Sequence, residues 1–257
     1  MITRISTSSM TKEQWNAERL KSIGGSDAAA LLGLNPYKSA FALWAEKTGE
    51  IKPEDISDRE AVRLGHDLED YVAKRFAEAT GKKVRRENFF IYNSDFPIAH
   101  ALPDRMVVGE AAGLECKTTS SWERLKLCRD GEYPKDWYCQ CVHYMMVTGA
   151  QKWYLAVLCF GHGFYHFTIE RDEERSAPWR TLSAIFGSTS RTGSLSPWTD
   201  RRPRQRRSTP FGRTAATARA WICRAFPPHC RSIPTGKTAQ TRRSSGRTRP
   251  PRRSRAT

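Results

Sequence analysis

Apolar and small residues recur at spacings of three and four between residues 59 and 80, where Val62, Gly65, Val72 and Phe76 share one stripe and Gly81 stands just past the end. That spacing predicts a helix with one buried face. Glu69 falls in the middle of the stripe. A lone carboxylate there costs on the order of several kcal/mol unless a cation compensates it, so Glu69 is either ion-paired or functional. A second helical pattern runs from Asp136 to Thr148, with Gly149 as its stop, and its stripe holds Trp137, Gln140, Cys141, Tyr144, Met145 and Thr148. Gln140 is its odd member, a polar amide on an apolar face that needs hydrogen-bond partners.

Shorter helices are predicted over residues 12–22, over 26–32 with Ser26 as N-cap and Gly33 as stop, and over 39–48, where Phe41, Leu43 and Trp44 would be buried. Gly24 and Gly25 precede the second of these. Free N–H groups at such a turn could meet an anion, and an ordinary capped turn fits them as well. Strand patterns at 83–93 and 97–108, joined by a turn at 94–96, and a third at 112–118 predict an antiparallel meander. A loop holding Trp122 and Tyr133-Pro134 follows. The apolar run 152–160 reads as a central strand and the alternating run 164–170 as an edge strand. Mixed helices and strands in this order indicate an α/β (α+β) class.

On an extended backbone Glu115 and Lys117 point to one face while Leu114 and Cys116 take the other. The meander can bring Asp104 beside Glu115, so that two carboxylates and one ammonium converge. Carboxylate oxygens suit a hard divalent ion such as Mg2+, and a neighbouring lysine can hold or deprotonate an attacking water. That is a constellation for metal-assisted hydrolysis of a phosphodiester. Taken alone, the same residues also fit an exposed Glu and Lys on a sheet edge with a turn Asp.

Composition changes the picture mainly at one end. The net charge of +16 suggests a nucleic-acid partner, yet residues 1–175 carry 24 basic against 26 acidic side chains, a balance of −2, and residues 176–257 carry 19 against one, a balance of +18. Seven cysteines without a CxxC pair do not read as a disulfide framework, and Cys139, Cys141 and His143 do not share one helix face, which argues against zinc. Neither a membrane-spanning apolar run nor a signal-peptide pattern is present, so a soluble cytoplasmic protein is expected.

The set Gly65-x-x-x-Glu69, Pro103-Asp104, Glu115-x-Lys117 and Gln140-x-x-x-Tyr144, in that order, resembles the PD-(D/E)xK nucleases, and more narrowly the YqaJ-type viral recombinases, relatives of phage lambda exonuclease. The opening run of Arg19, Ile23-Gly24-Gly25-Ser26-Asp27 and Asn35-Pro36-Tyr37 is similar to that family's N-terminal signature. The resemblance covers about residues 15–172. It implies a restriction-endonuclease-like core, a central mixed sheet flanked by helices, within a nuclease domain of residues 1–175. It implies that Asp104, Glu115 and the backbone carbonyl of Cys116 ligate Mg2+ or Mn2+, with Glu69 reaching the ion directly or through water. Lys117 would orient or activate the water, and Gln140 would support Lys117 or the scissile phosphate. Arg19 and Ser26 would contact a terminal 5′ phosphate, and Tyr144 would also meet the substrate. The activity implied is a 5′ to 3′ exodeoxyribonuclease of phage or prophage recombination, acting on duplex DNA and leaving 3′ ends for a single-strand annealing protein. Relatives form a ring of three subunits. A structure-specific endonuclease would share the metal residues without the phosphate pocket.

Residues 176–257 depart from that family. They hold 18 Arg and one Lys among many Pro, Ser and Thr, and lack helical periodicity. They read either as a disordered Arg-rich arm that holds phosphates, which would allow a non-catalytic nucleic-acid binder, or as a segment translated out of frame. The near absence of Lys favours the second.

Overall fold

Strand β6 (Ala112–Thr119) is the middle strand of a five-stranded sheet in the computed structural model, which describes residues 1–172. Its neighbours are β5 (Arg105–Val107), which continues to β2 (Val84–Arg86), and β7 (Lys152–Cys159), which continues to the edge strand β8 (Gly163–Glu170). Only β6 and β7 run parallel, with Glu115 opposite Leu155 and Lys117 opposite Val157. The other pairs are antiparallel. A parallel pair needs a long crossover, and helices α5 (Trp122–Arg129) and α6 (Lys135–Thr148) supply it.

Alternation along β6 divides the molecule into layers. Leu114 and Cys116 pack with Val107, Tyr154 and Ala156 against Val72, Ala73 and Phe76 of helix α4 (Glu60–Thr80). Full burial of a side chain such as Leu114 contributes roughly 1.5–3 kcal/mol. The opposite face, bearing Glu115 and Lys117, meets α6. Every residue of α6 from Trp137 to Val147 is buried, because the sheet covers one side and helix α2 (Gly25–Leu31) the other. A helix enclosed on both sides has no polar stripe, so its sequence periodicity understates its burial.

The expected meander is present but broken between two sheets. Residues 83–93 and 97–108 are not two continuous strands. Their outer parts, β2 and β5, join the large sheet, while β3 (Phe89–Asn93) and β4 (His100–Ala101) form a small antiparallel sheet with β1 (Ile2–Ser6). Pro103 lacks an N–H and interrupts the ladder between β4 and β5. On the other side of the hairpin, Glu87 separates β2 from β3 and takes an ion pair from Arg85 at 2.5 Å.

At the N-terminus stand α1 (Lys12–Leu20), opened by a Thr11/Gln14 capping box, and α3 (Ala40–Thr48), capped by Ser39. Two local expectations are corrected, those for Ser26 and Phe41. Ser26 is not the N-cap of α2: Gly24 occupies that position, and the Asp27 carboxylate accepts its N–H at 3.0 Å. Gly25 serves packing, since a Cβ there would lie 2.4 Å from the Tyr144 ring. Phe41 is 42 % exposed and stacks on Trp44 rather than entering the core. Among the described residues no helix is long and apolar enough to cross a membrane. Both readings of residues 176–257 lie outside the described residues.

Candidate active site

Four side chains from β6 and α6 form one continuous polar chain. Glu115 Oε1 receives the Lys117 ammonium at 2.6 Å and the Gln140 amide at 2.7 Å, while Lys117 Nζ also donates to Gln140 Oε1 at 2.9 Å. Gln140 and Tyr144 are one helical turn apart and share a face, so Gln140 Nε2 also reaches the Tyr144 hydroxyl at 3.0 Å. Tyr144 then donates to the carbonyl of Leu102 at 3.0 Å. That contact holds the Leu102-Pro103-Asp104 turn against α6. The turn is tied to β6 as well, because Asp104 Oδ2 accepts the Cys116 N–H at 2.8 Å. Asp104, Glu115, Lys117 and Gln140 are therefore brought together as the sequence predicts.

Tyr144 is placed differently. It is only 4 % exposed, with its hydroxyl committed to Gln140 and Leu102. The expected substrate contact is corrected to a supporting position behind Gln140.

The charges are out of balance in a way that matters. Burial, reinforced by Glu115 and Glu69, pushes the Asp104 carboxyl well above the usual carboxylate range. Burial also raises Glu115, although Lys117 and Gln140 pull the other way. Lys117 is lowered by burial but held above its ordinary value by Glu115 and Asp104. Glu115 Oε2 is buried with no hydrogen-bond partner. An unsatisfied buried oxygen of this kind costs about 1–3 kcal/mol. A buried carboxyl at Glu115, a half-buried one at Asp104 and an orphaned oxygen fit a hard divalent cation, which prefers all-oxygen ligands and supplies the missing positive charge.

Glu69 does not complete a triad of acids. Its carboxylate is ion-paired to Arg105, so the ion-paired alternative for this helix position is the one observed. Among the described residues no three His, Cys, Asp or Glu side chains stand together in ligand geometry. The acids available are Asp104 and Glu115, with Glu69 near enough to raise both. Arg105 was not among the candidates from sequence. Its signal was present: it has the strand parity of Val107, so a charge falls on a face that should be apolar.

The N-terminal candidates also meet. Arg19 Nη2 donates to Ser26 Oγ at 3.0 Å on an exposed surface, with the guanidinium 5.5 Å above the Trp15 ring. Beneath them lies a buried ion pair that sequence reasoning missed, Lys47 with Asp27 at 2.8 Å. Lys47 also donates to the carbonyls of Arg19 and Ser22 at 2.8 and 2.7 Å, which fixes the end of α1 against α2 and α3. Two buried histidines join this region to α6. His100 Nδ1 is 2.7 Å from Ser22 Oγ, and His143 Nε2 is 2.8 Å from the His100 carbonyl.

Residues 14–151 match the protein family described as the YqaJ-like viral recombinase domain. The uncharacterized protein YqaJ of Bacillus subtilis (strain 168) is 46 % identical over 169 residues, covering 65 % of this chain and 52 % of that protein. The chain thus spans about half the length of this curated relative. The crystal structure of an alkaline exonuclease (LHK-Exo) from Laribacter hongkongensis aligns over 71 % of this chain and 94 % of that one, with a TM-score of 0.60 and 20 % identity. The same exonuclease in complex with dAMP gives a TM-score of 0.61 at 22 % identity, over the same shares. At these identities the likeness is one of fold.

Proposed function

Since this chain belongs to the YqaJ-like viral recombinase domain family, we propose that it is a Mg2+-dependent deoxyribonuclease that hydrolyses one strand of duplex DNA from its 5′ end. The observation that carries this reading is the half-satisfied carboxylate of Glu115. One oxygen is shared by Lys117 and Gln140, and the other is buried and unpaired near Asp104. Glu87 also keeps a carboxylate oxygen without a hydrogen bond, but the Arg4 guanidinium lies 3.5 Å from it, whereas Glu115 has a second acid, Asp104, for a neighbour.

Asp104, Glu115 and the backbone carbonyl of Cys116 would hold the cation, with Glu69 as a further acid within reach. Mg2+ bound there would neutralise charge developing on the phosphate oxygens. The protein's own groups do the rest. Lys117, kept protonated by Glu115 and Asp104, is suited to hold an attacking water or a phosphate oxygen by donating hydrogen bonds. Gln140 fixes the Lys117 ammonium and Glu115 together, so neither can swing away independently. Tyr144 holds Gln140 and the Asp104 turn in register. At the N-terminal helices, Arg19 and Ser26 would receive a terminal 5′ phosphate. The 3′ overhang produced would serve a single-strand annealing protein, and a trimeric ring would keep the DNA engaged.

The test is digestion of linear duplex DNA labelled separately at each end. Release of the 5′ label first, dependence on Mg2+, loss in EDTA and loss in Lys117→Ala are expected. Activity surviving both EDTA and Lys117→Ala would remove the mechanism. Cutting of a covalently closed circle would replace the exonuclease with an endonuclease built on the same residues.

A further inference from the structure

Arg105 follows Asp104 directly, yet its side chain points to the other layer of the molecule and takes no part in the chemistry above. It is nearly inaccessible, with 5 % of its side chain exposed, and its guanidinium has three acceptors. Nη1 donates to Glu69 and to the main-chain carbonyl of Asp104, the latter at 2.6 Å, while Nη2 donates to Asp70 Oδ1 at 2.5 Å. Arg86 shares Asp70 from the surface. A buried guanidinium must be neutralised, but one carboxylate would suffice. Here there are two, and they differ. Asp70 is largely exposed and turned toward Arg86, whereas Glu69 lies close enough to the hydrolytic centre to raise Asp104 and Glu115.

We propose that Arg105 is a positioning residue that withholds Glu69 from the divalent cation, so that the ion gains its further acid only by taking Glu69 from the guanidinium. This rests on the metal-dependent nuclease reading. The geometry makes the exchange inexpensive. When Glu69 leaves, Arg105 keeps Asp70 on Nη2 and the Asp104 carbonyl on Nη1, so it is never left bare. The same Nη1 contact holds the turn that carries the Asp104 carboxylate. Arg105 thus links the position of one ligand to the release of another, and Asp70 sets how readily Glu69 is given up.

The signs follow from who competes with whom. Arg105→Gln frees Glu69 and should lower the concentration of cation needed for half-effect, by about fivefold for neighbouring charges in one network. Glu69→Gln should raise it. Asp70→Asn leaves Glu69 as the sole carboxylate on Arg105, so the half-effect concentration should rise. In a Glu69→Gln background the gain from Arg105→Gln should be absent, leaving only the loss from the freed Asp104 turn, and Asp70→Asn should no longer shift the midpoint.

The measurement is thermal stabilisation of the full chain on titration with Mg2+ and, separately, Ca2+, which needs no turnover. Digestion of linear duplex DNA is run alongside, and Arg105→Gln should lose kcat more than it changes KM. Equal shifts with and without Glu69 would show that Arg105 acts only through its general field, and an unchanged cation midpoint would make it a structural residue; either overturns the proposal. Asp70→Asn changes an exposed side chain and keeps the test decisive if Arg105→Gln does not fold. A wild-type chain that digests DNA in EDTA and ignores both ions overturns the nuclease mechanism and this proposal together. Wild-type stabilisation by the ion with no coupling to Glu69 overturns this proposal alone.

Discussion

Lowering the pH from 7.5 to 5.0 should destabilise the fold through two buried imidazoles, His100 and His143, that join the N-terminal helices to α6. Burial, helped by His143 and Lys47, lowers the His100 pKa from 6.5 to about 3. Burial also lowers His143 to about 4. Both rings are neutral in the folded chain, while the unfolded chain takes up protons below 6.5. Stability from these groups is therefore fully present above pH 6.5 and is lost as pH falls toward 4 and then 3. At pH 5.0 the unfolded imidazole gains about 1.5 pH units of protonation free energy that the folded one does not, or about 2 kcal/mol each and about 4 kcal/mol together. Set against a typical domain stability of about 5–15 kcal/mol, that is a large share. Asp104 and Glu115 act in the opposite direction, because their raised folded pKa values make protonation at low pH relieve the fold. Urea unfolding in EDTA at several pH values, compared between wild type and His100→Asn, separates the two contributions. Asn loses the ring packing against Phe90 equally at every pH, so only the imidazole's titration differs. Wild type should lose about 2 kcal/mol more than the variant between pH 7.5 and 5.0. An identical pH dependence in both proteins, or a His100 ring that titrates near 6.5 by NMR, would refute the reasoning.

Other perturbations probe the site and its supports. Asp104→Asn should raise the melting temperature in EDTA while abolishing hydrolysis, because a neutral amide escapes the burial and like-charge penalty that raises Asp104; a lower melting temperature would contradict that account. Tyr144→Phe leaves the Leu102 carbonyl without its donor and should cost about 1–3 kcal/mol. Its kcat should fall more than its KM changes, and the reverse pattern in steady-state digestion would return Tyr144 to the substrate surface. Gly25→Ala drives a methyl group into the Tyr144 ring. It should cost about 1–3 kcal/mol, and unchanged denaturation would mean that α2 and α6 are less tightly packed than described.

Legibility in the sequence followed one rule: polar residues on faces that should be apolar. Glu69 and Gln140 stood out on helical stripes, and Glu115 with Lys117 stood out by strand alternation; the structure finds all four at or beside one centre. Arg105 obeys the same rule, but the strand holding it is three residues long, too short for alternation to be visible. Helix α5 escaped notice because only Leu125 and Cys128 are buried along it. Strand β1 escaped because Ile2 and Ile5 remain exposed on an edge. The splitting of one hairpin between two sheets depends on tertiary contacts around Pro103 and Glu87, which no local pattern records. The Lys47–Asp27 pair joins residues twenty positions apart on separate helices, a distance across which spacing carries no information.

The order of strands has a consequence for anyone cutting this chain into fragments. The family match ends at residue 151, one residue before β7 begins. A fragment with those boundaries would keep Asp104, Glu115, Lys117 and Gln140 while stripping the parallel partner from the strand that carries two of them. The bared edge, flanked by Leu114 and Cys116, would offer its free N–H and C=O groups to any other chain. Such a piece should emerge from the ribosome with all four proposed site residues intact and precipitate, whereas extending it through Glu170 restores the missing neighbours on that side.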